Sequence, residues 1–142
     1  MDLDGTLWGG AVVDLGFEGI ELGQDTPDGE AFICFQTYIK SLKNRGVILA
    51  VCSKNQDDLA RAPFLQHPDM VLRLEDISYF VANFDDKARN LRSISHKLNV
   101  DLSALFFIDD SPVECAWVGK MLPAVRVLHL SGDPADYPAA LD

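Results

Sequence analysis

Cysteine, basic charge and glutamate are all scarce in this 142-residue chain. Its three cysteines, Cys34, Cys52 and Cys115, are odd in number and too widely spaced for a disulfide framework or a structural zinc site, so they read as reduced thiols. Lys and Arg number 12 against 22 acidic residues, a formal charge of −10. That balance excludes nucleic acid as a partner, because a polyphosphate backbone is held by cations that neutralise phosphates. No apolar run approaches the roughly 20 residues that span a bilayer. The N-terminus lacks the basic stretch and apolar core of a signal peptide. A cytoplasmic location without membrane association is expected.

What is present is an ordinary globular composition, 48% hydrophobic and 24% charged. It suits one domain over residues 1–142 that buries roughly 70% of its unfolded surface. The acidity is uneven, with 17 Asp against 5 Glu. Glu fills solvated helix faces, whereas Asp favours caps, turns and metal sites.

Turn residues crowd the stretch from Gly9 to Glu30, which reads as a loop or small hairpin insertion over about residues 10–30. From Ala31, Phe32, Phe35, Ile39 and Leu42 form a helical stripe that Gly46 ends. Val47 to Cys52 is a continuous apolar run, as in a parallel strand covered on both faces, and Leu105 to Ile108 and Val125 to Leu130 are similar. Helical patterns lie between them, over Ala88 to Leu98 and Pro112 to Leu122. The alternation implies an α/β fold, a Rossmann-like three-layer sandwich with a mostly parallel sheet. Sites in such sheets lie beyond the carboxyl ends of the strands. Three polar clusters fall there: Asp2-Leu3-Asp4, Ser53-Lys54-Asn55 and Asp109-Asp110.

Asp2 and Asp4, two apart on an extended segment, place both carboxylates on one side. Two such charges about 4 Å apart repel by roughly 4 kcal/mol at an effective dielectric near 20. Adding Asp109 and Asp110 makes a divalent cation the natural solution. All-oxygen ligands favour magnesium, and no Cys or His in these clusters favours zinc. Each cluster alone also fits a blander reading, a solvated Asp pair and a helix cap ahead of Pro112.

Asp2-Leu3-Asp4-Gly5-Thr6-Leu7 resembles the first signature of the haloacid dehalogenase-like superfamily. Ser53, Lys87 and Ile108-Asp109-Asp110 match the second, third and fourth in order. The resemblance implies that Asp2 attacks phosphorus and that Asp4 protonates the leaving group and later activates water. It implies that Ser53 and Lys87, with Thr6, Lys54 and Asn55, bind the phosphoryl group. It also implies that Asp2, Asp4 through its main-chain carbonyl, Asp109 and Asp110 hold Mg2+. Asp4 to Gly10 with its Trp8-Gly9-Gly10, Cys52 to Asn55, His67 to Arg73 and Asp109 to Pro112 look closer still to the FkbH-like branch. That branch implies dephosphorylation of 1,3-bisphosphoglycerate and loading of a glyceryl group onto an acyl carrier protein through a cysteine thioester.

Cys52, beside Ser53 and Lys54, is the candidate thiol, with a buried structural role as the alternative; Cys34 and Cys115 read as packed. The Trp8 indole either walls the pocket or fills the core. Arg89, Arg92 and His96 form a basic stripe at i, i+3 and i+7, and Lys40, Lys43 and Arg45 a second patch. Each is either a solvated face or a landing surface for an acidic carrier protein.

Three features depart from the resemblance. Only Met1 precedes Asp2, so the first central strand reads as truncated. Gly5 stands where the branch tends to carry Asn, and Pro63 is expected to break or displace the helix after Asn55. Two further readings therefore stand beside glyceryl loading: a plain phosphatase acting on a small phosphorylated metabolite or a phosphoprotein, and an inactive truncated domain.

Overall fold

The computed structural model describes residues 1–142. After a turn at Asp4 to Trp8, the chain forms α1 (Val12–Gly19), broken at Gly16 where φ is 69°, and α2 (Pro27–Asn44). There follow β1 (Leu49–Lys54), α3 (Asp57–Gln66), β2 (Ile77–Asn83), α4 (Lys87–Leu98), β3 (Phe106–Asp109), α5 (Pro112–Met121), β4 (Arg126–His129) and α6 (Tyr137–Leu141). β1 pairs parallel with β2, and β3 parallel with β4.

Met1 and Asp2 lie between the two strand pairs and join them. The Met1 amino group donates to the Ala50 carbonyl (2.9 Å), the Met1 carbonyl accepts from Cys52 N–H (2.9 Å), and Asp2 N–H donates to the Ile108 carbonyl (3.0 Å). The spatial order is β2, β1, residues 1–2, β3, β4. Val47, Ile48 and Phe106, at the other ends of the neighbouring strands, are exposed.

Helices cover both faces. On one side Leu49 and Val51 of β1 pack with Leu3, Leu7, Trp8, Phe35, Ile39 and Phe64 in the larger apolar cluster. On the other, Cys52 packs with Ala88, Leu91, Ile94, Phe107, Val118 and Leu122 beneath α4 and α5. The period-2 alternation of β1 therefore divides its residues between two cores. Truncating a fully buried member such as Phe35 to Ala costs about 3–5 kcal/mol.

Four local expectations change. α2 begins four residues before its apolar stripe, because Thr26 caps it by accepting from Gly29 N–H (3.0 Å) and Pro27 occupies its first position. The 10–30 segment is helical around α1, closed by an antiparallel bridge between Gly9 and Glu21. α3 runs through Pro63 to Gln66 and is not broken by it; only three residues follow, and the proline is buried. β2 is an unanticipated strand, although Tyr79 to Ala82 form a short apolar run; a bulge at its start shifts the register from Leu49↔Ile77 to Ala50↔Tyr79. Ile77, Phe80 and Ala82 then face one core while Tyr79 and Val81 face the other.

Burial of the Met1 ammonium pushes its pKa down from 8.0, so folding disfavours the charged form. The amine's contribution to stability is complete above its unfolded pKa and is lost as pH falls through the depressed folded value.

Candidate active site

Three segments deliver charged side chains to the point where residues 1–2 enter the sheet: the N-terminal segment itself, the start of α4 and the end of β3. Asp109 ends β3, and Asp110 follows it. Asp86 caps α4 by accepting from Ala88 and Arg89 N–H, which places Lys87 at the first helical position with its side chain turned inward. The Lys87 ammonium donates to Asp2 Oδ1 (3.0 Å) and Asp109 Oδ2 (2.6 Å), and all three residues are buried. Asp109 Oδ1 also accepts from Ser111 N–H (3.0 Å).

Asp110 packs against Gly5, where φ is +76° and an added Cβ would lie 2.1 Å from Asp110 Oδ2. Only glycine accommodates both that backbone and that approach. The Thr6 hydroxyl lies 3.5 Å from both Asp2 Oδ2 and Asp110 Oδ1. Tyr137 and His129 complete the surroundings. The Tyr137 hydroxyl donates to the Gly5 carbonyl (3.1 Å), and His129 Nε2 meets the Asp110 carbonyl (3.0 Å). Sequence reasoning missed both, since their partners are main-chain oxygens more than a hundred residues away for Tyr137 and nineteen away for His129.

Charge in this cluster is unbalanced. Asp2, Asp109 and Asp110 each offer a carboxylate oxygen, and these atoms lie within 4.8 Å of one another. One ammonium answers three carboxylates. Burial, with the neighbouring Asp109 charge, drives the Asp2 carboxyl well above the usual range despite Lys87. Asp110 is raised by burial and by Asp109. Burial also opposes ionisation of Asp109, but Lys87 and the Ser111 N–H together hold it below the usual range. Lys87 loses by burial and gains more from its two aspartates, so its pKa rises. Two net negative charges on hard oxygen donors in a tight group fit a divalent cation of the magnesium type.

Asp4 stands in an adjoining network. Its Oδ1 accepts from Trp8 Nε1 (2.8 Å) and Val12 N–H (3.0 Å), and its Oδ2 from Asn55 Nδ2 (3.0 Å). Asn55 also lies 3.5 Å from Ser53 Oγ. Trp8 thus does two things at once: its ring is fully buried, edge-on to Phe64, and its N–H orients Asp4.

The Asp4 carboxylate lies outside the group of Asp2, Asp109 and Asp110, compatible with the expectation that Asp4 offers a cation only its main-chain carbonyl. Several expected roles need correction. Thr6 is fully buried, and its hydroxyl serves the carboxylates instead of lining a phosphate pocket. Lys54 turns away from Ser53 and pairs with Glu114 (2.8 Å), because alternation sends it to the opposite face. Cys52 faces that side too: its thiol is fully buried, contacts the Lys87 carbonyl at 3.9 Å, and is pushed by burial up to about 11. A protonated, enclosed thiol is a poor nucleophile. Cys115 is buried as expected, but Cys34 is exposed.

A cavity of about 680 Å3 lies between the 9–26 segment and His67 to Asp69. Glu18, Glu21, Asp25 and Asp69 line it without any Lys or Arg, so it repels phosphate.

No protein-family model and no curated protein matches the chain. Among solved structures, it is similar to the N-terminal part of the protein BF1531 from Bacteroides fragilis, which contains a phosphatase domain and is complexed with Mg. Identity is 48% and the TM-score 0.96, over 99% of this chain and 37% of that one. A HAD family enzyme from Bacteroides thetaiotaomicron, an aspartate-to-alanine mutant in complex with magnesium and inorganic phosphate, matches with a TM-score of 0.52 at 16% identity. That match covers 67% of this chain and 53% of the other. The chain thus spans little more than a third of the length of its Bacteroides fragilis neighbour. Sheet order, the carboxylate cluster at its centre and the 0.96 superposition agree on one conclusion: the chain has the haloacid dehalogenase-like phosphatase fold.

Proposed function

We propose that the chain is a magnesium-dependent phosphatase domain acting on a small phosphorylated substrate. The observation that carries this reading is the convergence of Asp2, Asp109 and Asp110 around one ammonium, in a fold whose solved neighbours are magnesium-bound. Asp2, Asp109 and Asp110, with the Asp4 carbonyl, would hold Mg2+, which when bound supplies charge neutralisation for the transferring phosphoryl group.

The chain's own residues divide the work. An Asp2 carboxylate oxygen attacks phosphorus, and the bond from phosphorus to the leaving oxygen breaks, giving an aspartyl-phosphate. Lys87 keeps Asp2 in place and offsets the charge that builds on the phosphoryl oxygens. Ser53, at the end of β1 on the Asp4 side, offers its hydroxyl to those oxygens. Asp4 protonates the leaving oxygen, then takes the proton of the water that hydrolyses the intermediate. Trp8, Val12 and Asn55 hold it for this task. Its three N–H donors place two bonds on Oδ1 and one on Oδ2, which leaves Oδ2 a free lone pair through which Asp4 can exchange a proton.

A second reading, glyceryl transfer from 1,3-bisphosphoglycerate to an acyl carrier protein, is supported by the FkbH-like stretches from Asp4 to Gly10 and Cys52 to Asn55. It requires Cys52 to leave the apolar cluster beneath α4, or Cys34 to act in its place.

Phosphate release from acetyl phosphate and p-nitrophenyl phosphate, with and without Mg2+, tests the first reading. Asp2→Asn is expected to lower the rate by at least about a thousandfold. Asp109→Ala is expected to abolish Mg2+ binding by calorimetry. Metal binding without any phosphate release overturns the phosphatase reading and leaves an inactive domain. Brief iodoacetamide treatment at pH 8 is expected to label Cys34 alone in the folded protein, and Cys52→Ala to retain phosphate release within about threefold. Incubation with 1,3-bisphosphoglycerate followed by intact-protein mass spectrometry decides the second reading: a glyceryl adduct on Cys52 or Cys34 supports transfer, and the absence of any cysteine adduct while phosphate is released excludes it.

A further inference from the structure

The acidic cavity between the 9–26 segment and His67 to Asp69 has no part in the phosphoryl chemistry. Glu18, Glu21, Asp25 and Asp69 line it, and none of the four has a cation within ion-pair distance. Their one side-chain hydrogen bond comes from the Thr26 hydroxyl to Glu21 (2.8 Å). Gly23, at φ +136°, lets Asp69 close one wall, since an added Cβ would lie 2.7 Å from Asp69 Oδ2. Carboxylates gathered in this way repel one another until a cation enters. That cation is not a bare metal ion. Asp2, Asp109 and Asp110 are the one group of three acidic, His or Cys side chains whose ligating atoms lie within 4.8 Å of one another, so the four here are too dispersed to enclose one.

His67 supplies a second and independent observation. It is only 7% exposed and lines the same cavity. Its Nδ1 accepts from Asp69 N–H (3.1 Å), which leaves the ring proton on Nε2. Nε2 has no partner in the protein, and Glu114 Oε2 is the one side-chain polar atom both sealed and unpartnered, so Nε2 opens to the cavity. A donor held this deeply calls for an acceptor in whatever fills the space. The volume of about 680 Å3 is that of a small-molecule site, and Leu15, Phe17 and Ile20 add apolar wall.

We propose that this cavity binds a hydroxylated primary amine, its ammonium among the four carboxylates and a hydroxyl oxygen accepting from His67 Nε2. The two requirements together select the ligand class. A simple alkylammonium or guanidinium has no acceptor for His67, and a neutral polyol leaves the carboxylates unanswered. The lining segment also reaches the Asp4 network: Gly9 exchanges both main-chain hydrogen bonds with Glu21 (2.9 and 2.8 Å), and Val12 N–H holds Asp4 Oδ1 (3.0 Å). The amine therefore arrives either as the far end of a phosphorylated substrate or as a separate molecule bound behind Asp4. Binding of an unphosphorylated amine does not depend on phosphate release, so the site stands if the phosphatase reading fails.

Glucosamine and ethanolamine are the probes, titrated into the 15N-labelled protein and followed by NMR, with glucose as the neutral control. Saturable shifts confined to residues 18–26 and 67–69 are expected for at least one amine, and glucose is expected to bind at least about tenfold more weakly. Asp25→Asn combined with Asp69→Asn is expected to weaken the amine at least about tenfold, while Mg2+ binding and the unfolding temperature stay unchanged. His67→Leu is expected to weaken it several-fold, and His67→Gln, which returns a donor near the Nε2 position, to restore most of the loss. No saturable binding of either amine overturns the proposal. So does binding that survives the double neutralisation, or shifts spread over acidic residues elsewhere, which assign the effect to the net charge of the chain. Hydrolysis of glucosamine 6-phosphate and glucose 6-phosphate then separates the two sources. A preference for the amino sugar that is lost in the double variant places the cation on the substrate, and equal rates beside intact glucosamine binding make it a separate ligand of the same site.

Discussion

The Lys87 ammonium between Asp2 and Asp109 is the contact on which this structure turns. Both carboxylates are buried, and neither has another cation within reach. Without Lys87, three carboxylates would share a dry pocket at the centre of the sheet, and at about 4 Å each pair repels by several kcal/mol. Lys87 is held by the α4 N-terminus, so the placement of that helix is part of the electrostatics and not only of the packing. Its Asp86 cap also receives the Trp117 indole, which ties α5 to the same point. Moving α4 by one residue would withdraw the ammonium and leave the aspartates protonated.

That single cation leaves the cluster two charges short of neutrality, and the deficit is informative. A site meant only for stability would have given each buried carboxylate a cation of its own, and Asp76 has two, Lys40 and Lys43. Here Gly5 is kept free of a side chain so that Asp110 can come closer still. Bringing a third carboxylate into contact at the cost of backbone freedom makes sense only if a cation joins it.

Much of the fold was legible because its strands are apolar on both faces and end in polar clusters, a pattern that survives without any tertiary information. Asp2, Asp109 and Asp110 could be grouped in the same way, whereas Lys87 joined them only through the resemblance to the superfamily's third motif. What escaped has physical reasons. β2 carries its apolar run only over the four residues Tyr79 to Ala82, separated from Ile77 by the polar Ser78 at the bulge, and no polar cluster of the expected site follows it. The start of α2 reads as a turn, because Thr26-Pro27-Asp28-Gly29 serves both a turn and a helix cap. Tyr137 and His129 reach main-chain oxygens, and a carbonyl has no signature in sequence.

The alternation of β1 bears directly on chemistry. Ser53 and Cys52 are adjacent in sequence yet belong to opposite faces, one beside Asn55 and Asp4, the other under α4. Between them runs the hydrogen bond from Cys52 N–H to Met1, which fixes the strand against twisting. Exposing the thiol to the phosphoryl pocket would break that bond and one of the links joining the two halves of the sheet. It would also open the apolar cluster of Ala88, Leu91 and Phe107. The barrier to thiol chemistry at Cys52 is therefore set by the same contacts that assemble Asp2 with Lys87. In this conformation the Cys52 thiol is closed off from the side of the sheet where Ser53, Asn55 and Asp4 meet.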